Sequence, residues 1–84
     1  MASNKPEKVF RIGYVTASVF VHQVSGESGS RTLRSVNVQK RYTDGDEVKY
    51  TSSFSLAELP QALRVLNLAA SWVEEQEVTV ELQD

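Results

Sequence analysis

The sequence contains no cysteine, so disulfide bonds and thiolate metal sites are excluded. No apolar run approaches the roughly 20 residues that a membrane-spanning helix needs. The first eight residues lack the apolar core of a signal peptide, so a cytoplasmic location is expected. A chain of 84 residues is one domain, and a domain of this size is only marginally stable alone. Such domains are commonly stabilised by dimerisation.

Motifs that carry enzymatic chemistry are also missing. His22 is the single histidine, and no nucleophile or metal ligand stands at a useful spacing from it. There is no phosphate-binding loop and no zinc pattern. The segment Asp44-Gly-Asp-Glu47 superficially suggests a calcium loop but lacks the twelve-residue spacing of its ligands. The expectation is therefore a protein that is not an enzyme and that holds no metal or cofactor.

Charge is distributed unevenly along the chain. Residues 1–50 contain eight Lys/Arg and five Asp/Glu, a net charge of +3, whereas residues 51–84 carry a net charge of −5. A basic front part suits an anionic partner. Acidic residues in a helix and tail also occur for solubility alone, so charge by itself leaves both interpretations open.

Hydrophobic alternation predicts an α+β domain of order ββββα, a four-stranded antiparallel sheet followed by one long C-terminal helix. The strands are expected at about 9–14, 17–24, 32–43 and 48–54. Ser55-Leu-Ala-Glu58 is a capping-box pattern, and the helix should run to about residue 75 or 76. Residues 1–8 are predicted to be a disordered tail before a single domain at 9–84. Residues 77–82 alternate as a short strand would, or form a fraying helix end.

The turn between the third and fourth strands determines which side chains share a face. A three-residue loop at 43–45, with Gly45 in the left-handed conformation, is preferred because it keeps polar and apolar faces separate. Arg41 and Lys49 then lie on the polar face, while Val48 and Tyr50 point to the core.

The polar face is the candidate binding surface. Arginine and lysine attract phosphates, aromatic rings stack on bases, and amide or hydroxyl groups form hydrogen bonds. Phe20 belongs to this face if Ala17 and Val19 point to the core, and is otherwise a core residue. The three tyrosines are interpreted as packing at the edge of the core. The predicted nucleic-acid-binding residues are Arg11, Phe20, His22, Asn37, Gln39, Arg41, Lys49 and Thr51.

The helix has a narrow polar stripe, so it is apolar on more sides than one sheet can cover. A second copy of the chain is expected to cover the remainder, which predicts a homodimer. The residues predicted to form its interface are Val65, Leu68, Ala69 and Trp72.

Four strands followed by one helix, the polar stretch Asn37-Val-Gln-Lys-Arg41 with the turn after it, and the Phe54-Ser-Leu-Ala-Glu58 approach to the helix resemble the positive-cofactor-four and whirly single-stranded-DNA-binding fold. The resemblance covers residues 9–76. It implies a dimer or tetramer that binds single-stranded nucleic acid across its sheets, with Arg41 and Lys49 as basic contacts and a role in transcription or replication. The alternative is a protein-interaction module without nucleic-acid binding. Convergence of Arg11, Arg41 and Lys49 beside an exposed aromatic ring would favour the first interpretation.

Overall fold

A computed structural model describes residues 5–27 and 29–78. The strands β1 (Lys8–Ile12), β2 (Val15–Gly26), β3 (Gly29–Asp44) and β4 (Glu47–Thr51) form one antiparallel sheet in the order β1-β2-β3-β4, and α1 (Leu59–Glu77) follows. The predicted α+β class and ββββα order are confirmed. Of the expected tail, residues 1–4 lie outside the described part and Lys8 already begins β1. The possible C-terminal strand also falls mainly outside it, and Glu77 is helical.

The helix α1 packs against β1, β2 and β3 and so covers one of the two sides of the sheet. We call the side that faces α1 the helix side and the other the open side. On the helix side, Val15, Ala17 and Val19 of β2 are fully buried against Val65 and Ala69 of α1. These five small side chains form the buried core of the described residues. No helix in the described part of the chain is long and apolar enough to cross a membrane.

Two hairpins of this sheet close through two-residue turns that begin with glycine. Ile12 pairs with Val15 across Gly13, and Asp44 pairs with Glu47 across Gly45. The φ angles of Gly13 and Gly45 are 62° and 65°, and no non-glycine residue in the described part has a positive φ. A glycine at the first central position with an ordinary residue after it is the type II′ pattern. The left-handed conformation predicted for Gly45 is confirmed.

The register predicted for β3 and β4 is wrong. The turn is Gly45-Asp46 rather than a three-residue loop, so Arg41 pairs with Tyr50 and Tyr42 pairs with Lys49. A shift of an odd number of residues moves every side chain of a strand to the opposite face. Lys49 therefore lies on the helix side and Tyr50 lies on the open side beside Arg41.

Two of the four residues predicted for the dimer interface, Val65 and Ala69, are unavailable to a second copy. Val65 and Ala69 are 0% exposed within a single chain because they form the core against its own sheet. Leu68 is half-buried. Trp72 is half-buried and packs against the same core, and its Nε1–H donates a hydrogen bond to Glu7 Oε1 at 3.3 Å. Lys8 Nζ lies 5.0 Å from the centre of the Trp72 ring. Val65 and Ala69 thus face the strands, whereas Leu59, Leu63 and Leu66 of the same helix remain exposed.

The start of α1 is tied to the sheet by a carboxylate. Glu58 accepts two hydrogen bonds from Lys40 Nζ, at 2.9 and 2.7 Å, and one from the backbone N–H of Ser55 at 2.9 Å. The last contact is the glutamate half of the predicted capping box. The hydrogen bonds from Lys40 are the main reason that the pKa of Glu58 is lowered to about 2.

Substituting Gly45 with valine should destabilise the fold by about 1–2 kcal/mol, because a β-branched residue resists positive φ. An added Cβ would meet nothing within 4 Å, so the cost is conformational and not steric. Gly26→Val is the matched control, since Gly26 lacks a positive φ and its added Cβ would make only ordinary contact. Equal losses for the two variants in urea denaturation would contradict the assigned turn.

The ion pair at Glu58 predicts a pH dependence of stability. The folded-state pKa of Glu58, about 2, lies below its ordinary value of 4.5. The stabilisation is therefore present above pH 4.5 and is lost as the pH falls towards 2. Urea unfolding midpoints at pH 6 and pH 3 should show a larger loss for the wild type than for Glu58→Gln. Equal losses would show that this carboxylate does not couple folding to pH.

Candidate nucleic-acid interface

The four described strands place arginines and no carboxylate on the open side of the sheet, and the acid nearest to that side is Glu27, in the turn after β2. Strand alternation places there the outward-facing residues of all four strands, including Arg11, Arg31 and Arg41. The strand carboxylates of the described residues, Asp44 and Glu47, both lie on the helix side. The open side therefore presents positive charge although the chain has a net charge of −2.

Three cations on the helix side are paired with carboxylates of the same chain, and a fourth, Lys8, lies over the Trp72 ring. Arg34 pairs with Glu7 at 2.8 Å and with Glu77 at 3.5 Å, and Lys40 pairs with Glu58 at 2.7 Å. Lys49 lies 3.2 Å from Asp44 and 3.7 Å from Glu47.

No such ion pair forms on the open side within residues 5–27 and 29–78. Arg11 and Arg41 have no carboxylate partner there. Arg41 instead lies with its guanidinium 5.8 Å from the centre of the Tyr14 ring. A guanidinium without a carboxylate keeps its donors available for a phosphate.

Arg11 and Arg41 line one shallow groove of about 330 Å³ on the open side. Two tyrosines belong to its wall, and both are largely exposed: Tyr14 by 66% and Tyr50 by 60%. Thr16, Ser18 and Gln39 form the polar floor, since Thr16 pairs with both Arg11 and Gln39. Positive charge, ring faces and amide or hydroxyl groups thus meet in one place.

The groove arises from the turns at both ends of its wall. Gly13 reverses the chain so that Tyr14 projects at the tip of the first hairpin, and the Tyr14 carbonyl accepts a 2.9 Å hydrogen bond from the Arg41 N–H. The type II′ turn at Gly45 sets Tyr50 opposite Arg41. Both tyrosines are therefore positioned by short, glycine-dependent turns.

The structure brings most of the predicted site residues onto the open side. Asn37 pairs with Ser18 next to the groove, and Phe20 follows one step further along β2, opposite Ser35. Phe20 is half-buried there and does not belong to the buried core of the helix side. His22 lies beyond it, and its Nε2 is 3.0 Å from Ser35 Oγ. These side chains continue the surface away from the arginines.

Lys49 and Thr51 are the exceptions, because the corrected register turns both to the helix side. Of the three cations expected to converge, Arg11 and Arg41 do so and Lys49 does not. Sequence reasoning missed Tyr14 and Tyr50, which it assigned to the edge of the core. The Gly45-Asp46 pair was the available signal for Tyr50, since a glycine-first two-residue turn sets the register that exposes this ring.

Within the described residues, no group of three or more His, Asp or Glu side chains could hold a metal ion. Comparisons of the chain with protein-family models, with curated proteins and with solved structures found no match.

Proposed function

We propose that the open side binds single-stranded nucleic acid. Phosphates of the strand contact Arg11 and Arg41, and bases stack on the exposed rings of Tyr14 and Tyr50. The observation that carries this proposal is the segregation of charge: helix-side Arg34, Lys40 and Lys49 are paired with carboxylates, whereas the two groove arginines face outward without one.

Exposed ring faces favour a single strand over a duplex. In a duplex the bases are stacked on each other and offer only their edges, whereas an unpaired strand can lay its bases on aromatic side chains. Such stacking tolerates any base, so little sequence preference is expected. The order of strands and helix, on which the resemblance to the positive-cofactor-four and whirly fold rests, supports the same use of the sheet.

Fluorescence anisotropy tests the proposal directly. A labelled single-stranded DNA, an RNA of the same length and the corresponding DNA duplex are titrated with protein into the tens of micromolar at low salt. Binding of a single strand that is tighter than binding of the duplex and weakens as salt rises supports the proposal. Absence of binding to every oligonucleotide would overturn it and leave an interaction module without nucleic-acid binding.

Tyr50→Ala should weaken single-strand binding by about 1–3 kcal/mol, the range measured for one base stacked on an aromatic ring. Tyr42→Ala is the matched control, because Tyr42 belongs to the same hairpin but lies on the helix side. Anisotropy titrations of both variants at one salt concentration make the comparison. Equal losses would show that the effect comes from the hairpin and not from stacking.

A further inference from the structure

A row of exposed apolar side chains runs along α1 and the turn before it. Leu56 is 85% exposed, Leu59 42%, Leu63 62% and Leu66 43%, and Ala70 continues the row. Successive members are separated by three or four residues. This alternation of three and four is the spacing with which one helix meets another. We call this row the leucine seam and define it as Leu56, Leu59, Leu63, Leu66 and Ala70.

The leucine seam lies on the flank of α1 that points towards β3. At 3.6 residues per turn, its centre is roughly 110° around the helix from the buried Val65–Ala69 face. The side of this flank is fixed by Glu77, which shares the angular position of Leu59 and forms an ion pair with Arg34 of β3. The seam is therefore separate from both the core and the open side.

We propose that a second copy of this chain covers the leucine seam, with the two α1 helices antiparallel. Charge selects this occupant and this direction. The helix has no acidic residue in its first turn and no basic residue in its last turn, where Glu74, Glu75 and Glu77 gather. Glu58, just before the first turn, is paired with Lys40, and Glu77 is paired with Arg34. Glu74 and Glu75, in contrast, have no cation partner among the described residues and remain open to the amino end of another helix. An antiparallel copy brings the glutamates of each helix to the amino end of the other, whereas a parallel copy would set them side by side.

The seam is self-complementary in this direction. Placing Leu63 opposite Leu66 of the second copy also places Leu59 opposite Ala70, so large side chains meet small ones at the ends of the contact. Leu56 then lies opposite the half-buried Val73. The contact uses only the helix side of each protomer, so both open sides stay accessible. This dimer does not depend on what the open side binds.

The assembly is tested first by mass. In sedimentation equilibrium at tens of micromolar, the wild type should show twice the chain mass of 9.4 kDa. Leu63→Glu should return the mass to one chain, with an unchanged circular dichroism spectrum because Leu63 is exposed. Ser71→Glu, on the exposed opposite flank of α1, is the matched control and should remain dimeric. A monomeric wild type, or equal effects of the two variants, would overturn the proposal.

Direction is tested by crosslinking, which the absence of native cysteine makes unambiguous. Leu59→Cys and Ala70→Cys proteins are oxidised separately and as a mixture. The antiparallel arrangement predicts a disulfide-linked dimer in the mixture and little in either protein alone. Efficient crosslinking of each variant to itself would overturn the antiparallel arrangement. Both tests omit nucleic acid, so their failure is distinguishable from failure of the proposed binding function.

Discussion

Replacing Arg11 and Arg41 together with glutamine should weaken single-strand binding by about 100-fold. Each arginine is expected to contribute roughly 1.5 kcal/mol through a charged hydrogen bond to phosphate, and two such losses sum to about 3 kcal/mol. The dependence on salt should change as well. On a single strand, each lost phosphate contact lowers the slope of log affinity against log salt by about 0.7, so the double variant should lose about 1.4. Anisotropy titrations across a salt series measure both quantities.

The control for this experiment removes the same amount of charge from the other side of the sheet. Lys8 and Lys49 both lie on the helix side, next to Trp72 and to Asp44 respectively. Lys8→Gln with Lys49→Gln should leave the salt slope nearly unchanged. If both double variants lose affinity equally, binding responds to net charge and the arginine groove has no special role.

The substitution Ala69→Glu should unfold the domain, whereas Ala70→Glu should leave it folded. Ala69 is 0% exposed at the contact between α1 and β2, in a buried cluster that consists of valine and alanine among the described residues. Burying an unpaired charge costs several kcal/mol, which is comparable with the entire stability of a small domain. Ala70, the next residue, is exposed on the leucine seam.

Thermal unfolding followed by circular dichroism separates these outcomes. Loss of the cooperative transition is expected for Ala69→Glu alone. Two folded variants would show that Val65 and Ala69 do not pack against the sheet, which would restore the interface predicted from sequence. Two unfolded variants would show that the leucine seam is essential to the fold of the protomer.

Alternation in the sequence was sufficient to predict β2 and β3. Val36 and Val38 pack on the helix side, and Asn37 and Gln39 lie on the open side, because α1 covers one side of these strands and leaves the other free. In β4 the same reasoning fails. The helix does not reach β4, and its apolar Val48 and Tyr50 are 53% and 60% exposed. A strand with neither side buried carries no pattern that fixes its register, and only the turn does so.

The helix shows the corresponding limit for packing. Its sequence correctly indicates more apolar surface than one sheet can cover. It does not indicate which part meets the sheet, since leucine-rich and alanine-rich flanks are both apolar. Which flank of the helix meets the sheet depends on how the side chains of both elements fit together. Ala17 of β2 and Ala69 of α1 are both small and lie in the same buried cluster.

The short turns of the sheet have a consequence for the order of folding. Every strand pairs with its neighbour in the chain, so each hairpin can close locally, an event that takes about 1–10 μs. Docking of α1 onto β1 and β2 joins segments far apart in sequence, so it costs more loop-closure entropy than the closing of a hairpin does. If the sheet forms first, a strained residue at Gly45 slows folding, whereas truncation of Val65 mainly accelerates unfolding. The unfolding rate of the native protein, and so its lifetime, then depends on how firmly α1 packs on the sheet.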